Sequence, residues 1–328
     1  MTDQPTLDVR NLRVEFPGRH GTVTALDDVS LQVRPGEILG VVGESGAGKS
    51  MTGLAVQRLL EPPGHIAGGE VWLNGRRIDN LSEREMEKIR GREIGAIFQD
   101  PLTSLNPLFS VGRQLVETIR LHSDLSKSAA KQRAVALLAE VGIPAPAERV
   151  EHYPHQFSGG MRQRVVIALA LAARPKLVIA DEPTTALDVS IQAQITALLR
   201  RLCKENGTAV MLVTHDMGVI AETADRVAVM YAGRLVEIGP VAEVIARPSH
   251  PYTRGLMGSI PTLGARVPQL QQIDGAMPRL DAIPRGCAFN PRCPQVHDRC
   301  RQDRPDLRPA TSSLAACWLV SDAKENAA

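Results

Sequence analysis

Hydrophobic and polar residues alternate in two stretches near the N-terminus, residues 7–16 and 23–33. Alternation with a period of two is typical of strands that have one buried face. Pro17, Gly18 and Gly21 lie between the two stretches and favour a short connection. The pattern therefore predicts an antiparallel pair of strands. A further short strand is expected at residues 69–75, which are bounded by glycines.

Short, almost continuous apolar runs form a second pattern, which is typical of parallel strands covered on both faces. These predicted strands occupy residues 37–42, 94–98, 177–180 and 209–213. Helical spacing is found at residues 51–60, 111–122, 128–141, 165–173 and 189–203. We therefore expect an α/β fold with a mainly parallel sheet, an N-terminal antiparallel β subdomain and a helical insert at about residues 105–170.

Two local signals add detail to this outline. Ser82 and Glu85 have the spacing of a capping box, which predicts the start of a charged helix. Residues 226–231 and 234–238 flank Ala232-Gly233, which predicts a hairpin.

Composition narrows the class of protein. The chain has 328 residues, enough for two domains. Its 38 Lys and Arg nearly balance its 36 Asp and Glu, and only 3% of its residues are aromatic, so nothing indicates a nucleic-acid partner. The longest apolar run, residues 165–173, is far shorter than the roughly 20 residues of a membrane span. No signal-like segment begins the sequence. We expect a cytosolic polypeptide that can reach a membrane only through partners.

The composition changes after Gly239. Eleven of the 23 prolines follow this residue, and so do four of the five cysteines, Cys287, Cys293, Cys300 and Cys317. This change predicts a main domain at residues 1–240 and a separate C-terminal module at residues 241–328.

One segment fits the phosphate-binding pattern G-x-x-x-x-G-K-[ST]. It consists of Gly43-Glu44-Ser45-Gly46-Ala47-Gly48-Lys49-Ser50, and Met51 begins the helix that follows. Its glycines let the backbone approach phosphate oxygens, and the helix N-terminus favours an anion. Lys49 would contact the β- and γ-phosphates, and the Ser50 hydroxyl would bind Mg²⁺. A glycine-rich turn is the alternative, but the flanking strand and helix favour a nucleoside triphosphate site.

Several other residues stand where predicted strands end. Asp181 and Glu182 follow an apolar strand, so Asp181 is expected near Mg²⁺ and Glu182 near an attacking water. Gln99 also ends a strand and could reach the metal or that water, although such a residue is often only part of a loop. His215 follows the strand at 209–213, and Phe16 could be core or could stack on a base.

A glycine pair precedes the apolar helix at 165–173. In the segment Phe157-Ser158-Gly159-Gly160-Met161, Ser158 is a candidate N-cap, and the glycines allow close approach to a ligand. Taken alone, the segment is more typical of a plain loop that enters a helix.

The order of these motifs resembles the nucleotide-binding subunit of an ABC transporter, a P-loop NTPase with a RecA-like core. Residues 43–51 would bind ATP, with Lys49 and Ser50 in the Walker A motif and Phe16 stacked on adenine. The resemblance assigns catalysis to Glu182, His215 and Gln99, and Mg²⁺ to Ser50, Gln99 and Asp181.

The same resemblance implies that two ATP-binding subunits pair head to tail. Residues 158–161 (Ser158, Gly159, Gly160 and Met161) would contact the partner's ATP as the signature motif, in which Phe157 and Met161 replace the commoner Leu and Gln. Asp188 would form the D-loop. Two membrane permease subunits, an extracytoplasmic solute-binding protein and a position on the cytoplasmic face of the membrane are also implied. The second ATPase subunit could be a copy or a paralogue.

The C-terminal segment His250-Pro251-Tyr252-Thr253, together with the four cysteines, resembles dipeptide and oligopeptide importer ATPases. In that family the cysteines can hold a [4Fe–4S] cluster, which is the expectation here. From the residues alone, zinc or four unligated thiols stay open. Two other functions stay open from the sequence: import of nickel or another small solute, and, less favoured, a soluble ABC ATPase that acts on nucleic acid or ribosomes.

Overall fold

A computed structural model of the chain describes residues 4–19, 21–185, 187–258 and 272–320, without the side chain of Leu102. The last part of the predicted C-terminal module, residues 321–328, lies outside the described residues. The strands are β1 (Leu7–Gly18), β2 (Gly21–Val33), β3 (Ile38–Val42), β4 (His65–Leu73), β5 (Arg76–Arg77), β6 (Ile94–Ile97), β7 (Leu177–Asp181), β8 (Ala209–Val213), β9 (Arg226–Tyr231), β10 (Arg234–Pro240), β11 (Arg308–Pro309) and β12 (Leu314–Ala315).

The helices are α1 (Lys49–Gln57), α2 (Glu83–Ile89), α3 (Pro101–Ser104), α4 (Val111–His122), α5 (Lys127–Glu140), α6 (Pro146–Arg149), α7 (Gly159–Ala170), α8 (Val189–Asn206), α9 (Met217–Thr223), α10 (Val241–Ala246), α11 (Pro251–Gly258) and α12 (Asp298–Gln302). Single 3₁₀ turns span Pro154–Gln156 and Asn290–Arg292. Within the described ranges, no helix is both long enough and apolar enough to cross a membrane.

The chain forms two compact units, and one of them contains Val33–Ile38 and Asn80–Leu212. Its strands lie in the order β8-β7-β6, and β6 and β7 are parallel, as the apolar runs predicted. Helix α7 packs on β6 so closely that a Cβ atom at Gly95 would lie 2.3 Å from the carbonyl oxygen of Ala170. This close approach explains the glycine in the middle of a buried strand.

Helices α3 to α7 of this unit pack against one another. Ser110 begins α4 and Ser126 begins α5, and each hydroxyl accepts a hydrogen bond from a backbone amide three residues on. The predicted capping box is also present, because the Glu85 carboxylate accepts hydrogen bonds from the amide and the hydroxyl of Ser82. Local sequence signals therefore set the start of three helices here.

The other unit contains Asp8–Gln32, Leu39–Asp79 and the described part of Val213–Ala328. One of its sheets has the strand order β2-β1-β4-β5, which includes the predicted N-terminal pair. In the second sheet β3 and β9 are parallel, whereas β9 and β10 form the predicted antiparallel hairpin. Ala232 and Gly233 turn this hairpin with φ angles of 47° and 78°. The short strand β12 pairs with β10, so the C-terminal residues extend this sheet.

Candidate functional site

The predicted phosphate loop connects β3 to α1. All five residues of β3 are buried, and the loop that follows has positive φ angles at Gly43 (154°), Gly46 (80°) and Gly48 (103°). A Cβ atom at position 43 would lie 2.3 Å from the carbonyl oxygen of Met230. The loop therefore depends on glycine for its course, and the N-terminus of α1 follows directly, where backbone amides attract an anion.

Lys49 lies within this loop rather than in solvent. Only 6% of the residue is exposed, and its Nζ donates hydrogen bonds to the carbonyl oxygens of Gly43 (2.8 Å) and Glu44 (2.9 Å). The ammonium group is thus held over the backbone that would enclose a phosphate. Its contact with a nucleotide stays a prediction.

Two further candidates belong to the same unit as the phosphate loop. His215 is exposed in the loop between β8 and α9, and the amide of the preceding Thr214 donates to the carbonyl oxygen of Val41 in β3 (3.1 Å). Phe16 is half-buried, and its ring lies against Gly64, where a Cβ atom would come within 2.4 Å of Cε1. The roles of both residues stay predictions.

The candidate general base, Glu182, stands directly after β7 in the other unit. Its carboxylate oxygen Oε2 accepts hydrogen bonds from Gln99 Nε2 (3.0 Å) and Thr185 Oγ1 (2.9 Å). The structure therefore brings Gln99 and Glu182 together, as their strand-end positions suggested. Thr185 is a contact that sequence reasoning missed, because a threonine in a turn has no distinctive pattern.

The backbone at Glu182 is strained. Its φ angle is 46°, in the left-handed region that costs a residue with a Cβ about 1–2 kcal/mol. The amide of Thr185 donates to the carbonyl oxygen of Glu182 at 3.2 Å and so closes a tight turn. Strain of this kind persists where surrounding contacts impose it, and it is common at functional sites.

The segment at residues 157–161 begins α7 as predicted. Ser158 is the N-cap, and its Oγ accepts a hydrogen bond from the amide of Met161 at 3.3 Å. A Cβ atom at Gly160 would lie 2.7 Å from the side chain of Ile191 in α8. Asp188 is the N-cap of α8 and accepts from the amide of Ile191 at 3.2 Å. Gly160 thus has a packing reason for lacking a side chain, independent of any ligand.

The four C-terminal cysteines are free thiols that lie within electrostatic range of one another. Burial, together with the charges of the other three, raises the pKa of Cys287 to about 11. Burial also raises the pKa of Cys293 and of Cys317, with Cys300 contributing to both shifts. These shifts keep Cys287, Cys293 and Cys317 protonated at neutral pH, and a metal would have to displace those protons.

The donor set suits a soft metal, since thiolates bind zinc and iron–sulfur clusters. The placement of the side chains is less favourable. Across the described ranges, no three His, Cys, Asp or Glu side chains are positioned to hold a metal ion. The geometry therefore gives no support for a metal centre beyond the proximity of the thiols.

The residues His250 and Tyr252 are buried beside the second sheet. The Nδ1 atom of His250 accepts a hydrogen bond from the amide of Tyr252 (3.0 Å), and the His250 amide donates to the buried carboxylate of Glu237 (2.9 Å). Burial and, to a smaller extent, Arg254 lower the pKa of His250 to about 3. This histidine is therefore neutral and structural at physiological pH.

Several named proteins resemble this chain over nearly its whole length. The chain is 48% identical over 312 residues to the oligopeptide transport ATP-binding protein OppD of Salmonella typhimurium, a match that covers 95% of this chain and 93% of that protein. It is 53% identical to OppD of Bacillus subtilis, with 96% and 88% covered, and 46% identical to the dipeptide transport ATP-binding protein DppD of Escherichia coli, with 92% of both covered. The chain belongs to the family of ABC transporter ATP-binding proteins.

Two family profiles match separate parts of the chain. Residues 26–185 match the ABC transporter family, and residues 236–300 match the family described as oligopeptide/dipeptide transporter, C-terminal region. A dimeric ABC cassette in a post-hydrolysis state bound to ADP and Pi superposes with a TM-score of 0.64 at 29% identity, covering 72% of this chain and 98% of that one. The predicted P-loop NTPase fold and the predicted ATPase class are thereby confirmed.

Proposed function

We propose that this ATPase drives the import of dipeptides or oligopeptides across the cell membrane. The observation that carries the proposal is the match of residues 236–300 to the C-terminal region of oligopeptide/dipeptide transporters in a chain that also has the ABC ATPase region. Relatives named as oligopeptide and dipeptide transport ATP-binding proteins support it, since they align over nearly the whole chain.

We propose that residues 43–51 bind the triphosphate of ATP, with Lys49 neutralising charge on the γ-phosphoryl group, and that Phe16 stacks on adenine. Mg²⁺, which neutralises phosphate charge, is held by Ser50, Gln99 and Asp181. These hydroxyl, amide and carboxylate oxygens are the ligands that Mg²⁺ prefers.

Glu182 takes the proton of the attacking water in this proposal, and His215 and Gln99 respond to the γ-phosphate. The contacts from Gln99 and Thr185 support this role, because they fix one carboxylate oxygen of Glu182. Residues 158–161 and Asp188 act on the ATP of a second ATP-binding subunit, which would be a copy or a paralogue. Two permease subunits and an extracytoplasmic solute-binding protein complete the complex, and this chain lies on the cytoplasmic face.

Transport in a reconstituted complex tests the cargo. Proteoliposomes that contain the permease subunits, both ATP-binding subunits and the solute-binding protein would be supplied with a radiolabelled dipeptide, a pentapeptide or Ni²⁺. We expect ATP-dependent uptake of at least one peptide and none of the metal. Uptake of Ni²⁺ alone would overturn the peptide assignment. The Glu182→Gln complex is the control, and unchanged uptake by it would overturn the catalytic assignment.

We also propose that Cys287, Cys293, Cys300 and Cys317 hold a [4Fe–4S] cluster. The proximity of the four thiols supports this, as does the chemistry of the donor set. Anaerobic purification followed by metal and absorbance analysis tests it. We expect about four irons per chain, lost in Cys293→Ser and retained in Cys203→Ser, whose thiol is buried in α8. Zinc or no metal in the wild-type protein would overturn the proposal.

A further inference from the structure

The phosphate loop is bound to the C-terminal part of its own unit through Glu44. The amide of Glu44 donates a hydrogen bond to the hydroxyl oxygen of Tyr252 (2.9 Å). Arg292 donates from Nη1 to both carboxylate oxygens of Glu44, at 3.2 Å and 3.0 Å. One residue of the loop is therefore held by its backbone and by its side chain at once.

These two contacts come from a rigid support. The rings of Tyr231, Tyr252 and Phe289 pack together with centroids 4.7 to 5.4 Å apart, and all three residues are buried. Arg292 lies over the ring of Tyr231, and its guanidinium also donates to the carbonyl oxygens of Asp274 and Ile273. Side chains fixed on so many sides lose little further entropy when they hold Glu44.

The contact between Arg292 and Glu44 also neutralises a negative charge in the phosphate loop. A triphosphate carries several negative charges, and an unpaired carboxylate in the loop that encloses it would repel the ligand. The Arg292 side chain is only 7% exposed, against 29% for Glu44, so water screens the pair poorly. The carbonyl oxygen of Glu44 also accepts from Lys49, which connects this residue directly to the predicted phosphate contact.

We propose that Arg292 and Tyr252 are positioning residues of the nucleotide site: they hold Glu44, neutralise its carboxylate and keep the phosphate loop in its binding shape. The inference rests on nucleotide binding at this loop and is independent of the cargo. It also makes the C-terminal region part of the ATP site, because Arg292 directly precedes Cys293 and Phe289 lies two residues after Cys287.

The contribution of the Arg292–Glu44 contact would be measured as a change in the nucleotide affinity of the full chain. The dissociation constant of a fluorescent ATP analogue would be determined for Arg292→Gln, Glu44→Gln and the double variant, at low and at high salt. We expect Arg292→Gln to weaken binding about tenfold at low salt, as the loss of a charged hydrogen-bond partner would. Because the harm comes from the unpaired Glu44 carboxylate, the double variant should return to within about twofold of the wild type. High salt should shrink the defect of the single variant.

Two further variants separate charge from geometry. Arg292→Lys keeps the positive charge without the guanidinium that also donates to the carbonyl oxygens of Asp274 and Ile273, and it should weaken binding only about threefold. Tyr252→Phe keeps the ring and removes the acceptor for the Glu44 amide, and it should also weaken binding about threefold. In the assembled ATPase, both changes should raise KM for ATP and leave kcat unchanged, because the contacts of Glu182 are untouched.

Arg279→Gln is the matched control, since Arg279 is an exposed arginine of the same region whose partner is Asp281. Its affinity for the nucleotide should equal that of the wild type. Thermal midpoints without nucleotide show whether each variant is folded. Wild-type affinity in both Arg292→Gln and Tyr252→Phe, or a double variant as weak as Arg292→Gln alone, would overturn the inference. If the wild type itself bound no nucleotide, the assignment of the loop would fail instead.

Discussion

The phosphate loop and the turn at Glu182 are built from different parts of the polypeptide. In the loop, positive φ angles fall on glycines, at positions 43, 46 and 48. In the turn, the positive φ falls on Glu182, a residue with a long side chain. The loop thus needs residues without a Cβ, whereas the turn places a side chain by forcing its backbone into a strained conformation.

The loop and the turn should tolerate substitution differently. The proposed binding groups of the loop are mainly amides, which survive most side-chain changes but not a change in backbone course. The proposed chemistry of the turn resides in one carboxylate, to which two side chains donate hydrogen bonds. Substitutions in the loop should therefore act on affinity and stability, and substitutions in the turn should act on the rate of hydrolysis.

Glu182→Gln should separate the rate of ATP hydrolysis from the affinity for ATP most clearly. The amide cannot accept the proton of the attacking water, so turnover in the assembled complex should fall by about 10²–10⁴-fold. The dissociation constant for ATP should stay within about twofold, because the phosphate loop is unchanged. Phosphate release and nucleotide binding would be measured on the same preparation. Glu205→Gln, an exposed glutamate near the end of α8, is the control. A large loss of affinity in Glu182→Gln would break the proposed division.

A pair of glycine variants tests the loop. In Gly43→Ala the new Cβ would meet the carbonyl oxygen of Met230 at 2.3 Å, and a backbone atom cannot move aside as a flexible side chain can. We expect a loss of about 3 kcal/mol in the free energy of unfolding and no detectable ATP binding. In Gly46→Ala nothing lies within 4 Å, so only the φ of 80° opposes the change, at about 1–2 kcal/mol. Denaturant unfolding measures both, and equal losses would contradict the steric argument.

These local features could be predicted because the signal lies within a few residues. The phosphate loop spans residues 43–50, the capping box at Ser82 spans four residues, and the apolar run at 209–213 coincides with β8. In each case the pattern reflects a constraint between residues that are neighbours in the sequence. The predicted elements differ from the observed ones mainly at their ends: the strand predicted at residues 94–98 ends at Ile97.

Contacts between distant residues could not be predicted in this way. Glu44 and Arg292 are 248 positions apart, and Glu44 and Tyr252 are 208 apart. Nothing near either residue in the sequence indicates its partner. One weak signal existed: the chain has only eight Tyr and Phe residues, and three of them form the cluster that supports Arg292. Two of the three, Tyr252 and Phe289, lie in the proline-rich segment after Gly239, where scarce aromatic residues indicate a second core.

The free energy of unfolding should depend on pH through His250, which lies in the unit of the phosphate loop. His250 has a pKa of about 3 in the folded chain and 6.5 as the ordinary value, so between these values the unfolded chain binds more protons. Stability is therefore lost as the pH falls below 6.5, by about 2 kcal/mol at pH 5. His250→Asn should remove this part of the slope, while the exposed His65→Gln should keep it. Because His250 holds the amide of Tyr252, nucleotide affinity should decline with stability in the wild type.

The turn at Glu182 belongs to the other unit and should not share this dependence on His250. The side chains of Gln99 and Thr185, which donate to Oε2 of Glu182, do not titrate. Once His250 is replaced by Asn, the free energy of unfolding should change less between pH 7 and pH 5 than it does in the wild type. A slope equal to that of the wild type would show that another group dominates.

The smallest effect is expected at Thr185, and it tests whether the turn depends on side-chain hydrogen bonds at all. Thr185→Val preserves shape but removes the hydroxyl that donates to Glu182 at 2.9 Å, leaving Gln99 as a donor to the same oxygen. Loss of one such bond corresponds to about 1 kcal/mol, so kcat should fall about fivefold with no change in the affinity for ATP. Thr185→Ser restores a hydroxyl at the same position and should recover most of the rate. If valine and serine gave the same kcat, the hydroxyl of Thr185 would play no part in orienting the carboxylate, and Gln99 and the backbone at Glu182 would suffice.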